Sequence, residues 1–393
     1  MRSDANDITC RLLNESDAPQ VRALWEYCFK DTKEFVELYF QKCFRAENTV
    51  GAYRGEKLLA AAQLNPYTLN LRGQKIPVSY IVGVETTPEE RGSGAAGALM
   101  RELLTQSAER GCYLTLLMPF SSKFYQAYGW SYAYARWRYR INLAELKPLG
   151  TDYGEIELVS AMEKVADLTA CYQTFGEKYN GVALRDEKHF RVLAQDLQND
   201  GGYCAVVYQN GAPEGYIFYL FGTDTIVVRE FVYKNYRAKA ALMQYLYRHR
   251  SQFEKVNFFL PQADASYLFL ENKNAAAIEP YMMARIADVK QFLEPLSYRA
   301  DNISLKIKVN DSFAANNNNV FSLQIQDGCA EVGILADDSG EIELEIGSLS
   351  AVVMGVSAKI LREMGKITVY KEKSFRDLLK LWPEENNYIN EDY

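Results

Sequence analysis

The stretch Ile81–Met100, IVGVETTPEERGSGAAGALM, decides how the rest of the chain is read. Ile81 to Thr87 is apolar and β-branched enough for a buried strand, and Pro88 ends it. Glu89 and Glu90 lead into Arg91-Gly92-Ser93-Gly94-Ala95-Ala96, after which Leu99, Met100, Leu103 and Leu104 share one side of a helix. A strand feeding a Gly-rich turn that opens a helix builds an anion site. Small residues let backbone N–H groups approach a ligand, and the helix N-terminus adds positive partial charge.

Three phosphate-binding patterns compete for that turn. The P-loop fails because no Gly-Lys-Ser/Thr closes it. The dinucleotide pattern G-x-G-x-x-G fails because Gly97 comes early and no acid-bearing second strand follows. R-x-x-G-x-A fits through Arg91, Gly94 and Ala96, and it resembles the pyrophosphate-binding motif of the GNAT acetyltransferases. A ligand-free strand–helix turn is the rival reading of those few residues. A second stretch, Pro119–Trp130 (PFSSKFYQAYGW), resembles the later signature of that family, a short helix ending in an aromatic-Gly-aromatic turn. The Asn usual at its head is missing.

Outward from these motifs, 393 residues exceed one core, so two or three domains are expected. A net charge of −7 argues against nucleic acid as a general partner and tilts toward cationic small molecules or peptides. The seven Cys are scattered without C-x-x-C, which fits reduced thiols in a cytoplasmic protein. Two His far apart make a His-built metal site or a Ser-His-Asp triad improbable, and no metal is expected. The polar N-terminus and the absence of an 18-residue apolar run predict no signal peptide and no membrane partner.

The periodicity predicts strands at Ile8–Leu13, Thr49–Tyr53, Leu58–Leu71, Ile76–Thr87 and Tyr113–Met118, with Leu58–Leu71 interrupted at Asn65-Pro66. Helices carry Val21, Leu24, Trp25 and Cys28, then Glu34 to Phe44. Residues 146–155 read as a linker. Beyond it the strand-then-helix order recurs, with Lys234–Ala240 in place of the Gly-rich turn, so that a backbone cradle is lost. From about Ser297 strict alternation sets in (Ile303, Leu305, Ile307, Val309). The run Asn316–Asn319 reads as a solvated hairpin loop, and helices are expected near Leu349–Met364 and Phe375–Trp382. The fold class is therefore α/β (α+β).

A GNAT domain (1–145), a degenerate GNAT-like domain (146–296) and a strand-rich domain (297–393) together resemble the enhanced-intracellular-survival (Eis) family, whose last domain resembles a sterol carrier protein. The resemblance implies an acetyl-CoA-dependent N-acetyltransferase acting on primary amines such as aminoglycosides, polyamines or lysine side chains, in a hexamer. It implies backbone contacts to the pantetheine arm at Val84, Glu85 and Thr86. The pyrophosphate would sit on Gly92, Ser93, Gly94, Ala95, Ala96 and Gly97 with Arg91 at the edge, and Phe120 and Ser121 would flank the arm. Tyr125 would be the general acid and the carboxylate of Tyr393 the base, while Asp31, Tyr39 and Asp392 would line the acceptor pocket. Two departures stand out: Gly92 and Ser93 replace arginines, and near position 39, where the family has a substrate-stacking Trp, this chain offers Tyr39 or Phe40 instead. A lipid or small-molecule carrier with a vestigial transferase domain is the alternative.

Overall fold

The computed structural model describes residues 8–336 and 339–392, folded around three sheets. The first sheet runs Thr9–Leu12, Thr49–Arg54, Lys57–Leu71, Gln74–Thr86, Leu114–Leu117, Met283–Ile286, Ser131–Tyr132, with Val182–Ala183 also paired to Lys57–Leu71. Lys57–Leu71 is continuous through Asn65-Pro66, which corrects the expected interruption. Its neighbour Thr49–Arg54 pairs only as far as Gln63, so Pro66 lies where one edge is open and a residue lacking an N–H is tolerated.

Gln74–Thr86 is the central strand. Its register with Lys57–Leu71 passes from Gln63 opposite Val82 to Ala61 opposite Glu85, so one extra residue bulges at Gly83-Val84. Glycine is required there. Gly83 has φ +62°, and a Cβ would stand 2.3 Å from Trp25 and 2.5 Å from the Gln63 side chain.

Helices Ala18–Cys28 and Lys33–Lys42 cover one face of this sheet, and helix Ala95–Glu109 covers the other. The apolar stripe read from the sequence, Leu99, Met100, Leu103 and Leu104, is buried on that second face.

The second sheet runs Ala276–Pro280, Ala135–Asn142, Lys255–Pro261, Thr225–Tyr233, Ala212–Phe221, Tyr203–Gln209, Glu155–Val159. Sheet membership does not follow the expected boundaries. Ala135–Asn142, inside the 1–145 range, joins the second sheet, and Met283–Ile286, inside 146–296, joins the first. Residues expected as a linker are packed: Leu146 and Leu149 bury themselves in the second core beside Leu143.

The third sheet, Cys329–Leu335, Asn319–Gln326, Ile303–Asn310, Ile342–Glu345, Ile367–Val369, carries its helices on one face. The helix expected over Leu349–Met364 is two, Ile346–Met354 and Ala358–Glu363, interrupted at Gly355-Val356-Ser357. The Asn316–Asn319 run is not a simply solvated loop. Asn317 is fully buried, accepting from the Val289 N–H at 2.9 Å and donating to the Ala287 carbonyl at 3.0 Å and to Asp311 at 3.1 Å. A buried amide is costly unless paired, and here it pins the third domain to the segment entering it.

Candidate active site

The cofactor side of the first domain is built by two strands that part. Gln74–Thr86 pairs in parallel with Leu114–Leu117 only from Val78 to Ile81. Beyond Ile81 the central strand continues to Thr86 still bonded to Lys57–Leu71, so the backbone of Val84 to Thr86 borders a gap on its other side.

The turn that follows is pinned by Arg54 to Glu90 at 2.8 Å and reaches helix Ala95–Glu109 through Gly92 (φ +83°) and Gly94 (φ +96°). Gly94 is the N-cap and offers no side chain to the helix start; the Ala98 N–H, bonded to the Gly94 carbonyl at 3.0 Å, is the first of the helical ladder. The amides ahead of it therefore face outward as an anion site requires, with only the Ser93 hydroxyl 3.4 Å from the Ala95 N–H. Arg91 and Gly92 are exposed beside them.

Tyr125 lies in the short helix Ser122–Gln126 that begins at Ser121. It is buried with Ile81, Ala95 and Leu117, and Val84 packs against the same cluster. Its ring stands 4.9 Å from Phe124 and 5.4 Å from Phe120, itself 73% exposed at the rim. Burial pushes the Tyr125 hydroxyl above the ordinary tyrosine range, so it stays protonated.

Glu85 turns its side chain under the helices of the opposite face. It is 1% exposed, neither carboxylate oxygen has a hydrogen-bond partner, and burial raises its pKa well above the carboxylate range. Its side chain is thus a neutral acid inside the protein, which leaves its backbone for the role expected of it.

On that opposite face a cleft separates the first domain's helix Lys33–Lys42 from the second domain's helix Glu187–Asn199. It comprises two cavities of about 410 and 420 Å³ that share Phe35, Arg185, Leu193, Asp196 and Asp392. The floor is Asn65 to Tyr67. Asn65 sits opposite Tyr80 of the central strand, near the level where the strands part.

Asp31, Asp196, Asp200, Glu230 and Asp392 line one cavity against Lys30, Arg185 and Arg229. Both arginines are already engaged: Arg229 with Asp196 at 3.1 Å and with Asp200, Arg185 with Glu230 and Glu391. This cavity is therefore acidic in balance, while in the other Asp186, Asp196, Glu391 and Asp392 are matched by Lys42, Arg45, Arg185 and Lys188.

The C-terminal segment threads between the domains to reach this cleft. Asn387 donates to the Ala133 carbonyl at 2.7 Å, Tyr388 packs in the second core, and Ile389 packs in the first. Tyr80 donates to the Glu391 carbonyl at 2.9 Å, and Tyr281 donates to Asp392 at 2.6 Å.

Of the residues expected at the acceptor pocket, Asp31 and Asp392 both line the cleft, Asp31 accepting from the Trp25 indole at 2.8 Å. Tyr39 lies in its wall but is 1% exposed and stacked on Trp25 at 4.7 Å, with Asn65 donating to its hydroxyl at 3.1 Å. Tyr393 lies outside the described residues. Arg185, Asp196, Glu391 and Tyr80 were not anticipated. An arginine ahead of a helix N-cap carries no local mark of burial, and its partners lie far along the chain.

Residues 9–133 match the acetyltransferase (GNAT) domain family, residues 181–286 match a second acetyltransferase (GNAT) domain family, and residues 289–390 match the sterol carrier protein domain. No curated protein sequence matches the chain. Solved structures share the fold across nearly the whole length. A GCN5-related N-acetyltransferase from Anabaena variabilis is 23% identical, with 98% of this chain and 100% of that one covered and a TM-score of 0.84. A conserved protein of unknown function from Enterococcus faecalis, described as a probable N-acyltransferase, is 22% identical over 98% and 99% with a TM-score of 0.86. Eis1 from Mycobacterium abscessus is 19% identical over 98% and 100% with a TM-score of 0.76.

Proposed function

We propose that this chain, an Eis-like GNAT acyltransferase with two GNAT domains and a sterol carrier protein domain, transfers an acetyl group from acetyl-CoA to a primary amine. The amine would lie in the acidic cavity of the cleft between the first two domains. The observation that carries this reading is the first domain's parted strand pair beside an uncapped, glycine-built helix start, with an acidic cavity on the sheet's other face.

The residues present fit the cofactor. Gly92 has open space around it, and the leading amides of helix Ala95–Glu109 suit a pyrophosphate, with Arg91 at the rim. The backbone of Val84, Glu85 and Thr86 would take the pantetheine arm as an added strand would, flanked by Phe120 and Ser121. Acetyl-CoA supplies a thioester, an acyl group activated toward amines.

Asp31 and Asp392 would draw a cationic amine into the cleft by charge. Tyr125, held as a neutral phenol, would donate its hydrogen to the departing sulfur, most of its effect coming from the hydrogen bond to developing charge. The base expected at Tyr393 rests on sequence resemblance alone. The second domain would hold no acyl-CoA, giving one per chain.

An acetyl-CoA consumption assay against polyamines, aminoglycosides and lysine peptides tests the reading: turnover with at least one amine is expected, and none with any would overturn it. Against the carrier alternative, the third domain's interior is filled by its own side chains, among them Leu305, Phe321, Leu349, Val352, Phe375 and Trp382. Thermal stabilisation by acetyl-CoA and not by fatty acids is the matching expectation.

A further inference from the structure

We infer that Arg185 is the positioning residue with which the second domain, already bound to Asn386–Tyr388 through Asn180, fixes Asn390 and Glu391 and so sets Asp392 in the acceptor cleft. The inference rests on the transferase reading above and assigns the second domain a part in it.

Arg185 stands just before helix Glu187–Asn199, and its side chain is 1% exposed. Its guanidinium lies 4.4 Å from the centre of the Tyr172 ring and spends its donors on three partners. Nε donates to Glu391 at 2.8 Å, Nη1 donates to Glu230 at 2.6 Å, and Nη2 donates to the Asn390 carbonyl. Two of the three are in the C-terminal segment. Glu230 is fixed from behind by the Tyr216 hydroxyl at 2.9 Å. The first domain grips the same residue of the segment: Tyr67 donates to the other Glu391 oxygen at 3.2 Å, and Tyr80 to its carbonyl.

Glu391 is therefore where both domains meet, and the next residue, Asp392, lines the cleft. One buried cation serves two buried carboxylates. Without it, Glu230 and Glu391 face one another in a low-dielectric interior, which is strongly unfavourable. Glu230 is fixed within a sheet, whereas Glu391 is on an irregular segment and is the one able to leave. Arg185 also borders both cavities, but its donors are spent on that segment and on Glu230, so its hold on the acceptor runs through the segment it positions.

The test compares wild type with R185K, R185M and the double variant R185M/E230M, which leaves no orphan carboxylate in the second domain. Steady-state kinetics with acetyl-CoA and an accepted amine are read beside hydrogen exchange of residues 386–392. For R185M and the double variant we expect kcat/KM for the amine to fall about tenfold or more, with KM for acetyl-CoA within about twofold. Exchange of the segment should accelerate. R185K should fall between, because an ammonium replaces a fork of donors by a point charge.

If R185M does not fold, the double variant decides. Wild-type amine kinetics in a folded variant, or unchanged exchange, overturn the inference while leaving the transferase reading standing. Equal losses toward both substrates mark Arg185 as structural only and also overturn it. A wild-type protein that acetylates no amine of the panel removes the underlying reading itself.

Discussion

The two GNAT domains carry the same devices and complete them differently. In each, a bulged central strand parts from its parallel neighbour: Gln74–Thr86 after Ile81, and Thr225–Tyr233 after Val227. Each places a buried glutamate directly past the bulge, Glu85 opposite Ala61 and Glu230 opposite Phe218. Glu85 has no partner, whereas Glu230 is held by Arg185 and Tyr216.

The helix starts differ in the same sense. Gly94 leaves the first helix uncapped, while Asn235 caps the second by accepting from the Ala238 N–H at 3.0 Å. Lys239, one turn in, is buried against Asp264 and donates to Ser266 at 2.6 Å, tying the second helix to the loop after the neighbouring strand. Where the first helix start leaves its donors uncapped, the second satisfies its own. A domain that has answered its polar groups internally is a scaffold, and its exposed contribution is what it presents to the cleft.

The sharpest way to break this contrast is at the first helix start. Gly94→Asp sets a carboxylate where phosphates would approach and demands a left-handed backbone of a side-chain-bearing residue. Acetyl-CoA affinity should drop ~100-fold or more by calorimetry; unchanged affinity in a folded variant would dissolve the phosphate-site assignment. Tyr125→Phe keeps the ring packing and removes the donor. Turnover should fall roughly 10²-fold with the acetyl-CoA dissociation constant unaltered, whereas a weaker dissociation constant with normal turnover would make Tyr125 a packing residue.

On the second domain the expected effect is on stability. Lys239→Met strands the buried Asp264 and should cost about 3–5 kcal/mol in denaturant unfolding while leaving one acetyl-CoA site per chain. A second site appearing in calorimetry would show that the ion pair had been closing a functional cleft.

The smallest effect separates the two glutamates by pH. Glu85 has a raised folded-state pKa, so below the unfolded value of about 4.3 both states are protonated and its contribution is fully present. As pH rises, the unfolded state releases the proton first, and stability is lost up to the folded pKa. Glu85→Gln should therefore gain in melting temperature relative to wild type as pH rises above the unfolded value, and parallel profiles would mean Glu85 is ionised in the fold.

Local signals read well wherever a conformation is made by consecutive residues. The turn at Arg91–Ala96 was legible because its conformation depends on glycines and a helix start that adjoin in the chain. The short aromatic helix around Tyr125 was legible for the same reason. The exchange of Ala135–Asn142 and Met283–Ile286 was not, since a strand's periodicity says which face is buried and nothing about which sheet accepts its edge. Asn317 reads as loop by residue type, and only its pairing with a distant backbone makes it interior. Arg185 and Glu391 follow the same logic, being polar residues whose burial is set by each other across 206 positions of sequence.

The strand exchange also sets a timetable for synthesis. When residue 145 has left the ribosome, Leu114–Leu117 bounds the half of the first sheet built so far, and its next neighbour is still unmade. At 5–20 residues per second, Met283–Ile286 follows about seven to thirty seconds later. During that interval an apolar edge beside the candidate acyl site waits for its partner, a window in which chaperones are the natural cover. The first domain is thus the first to begin folding and among the last to finish.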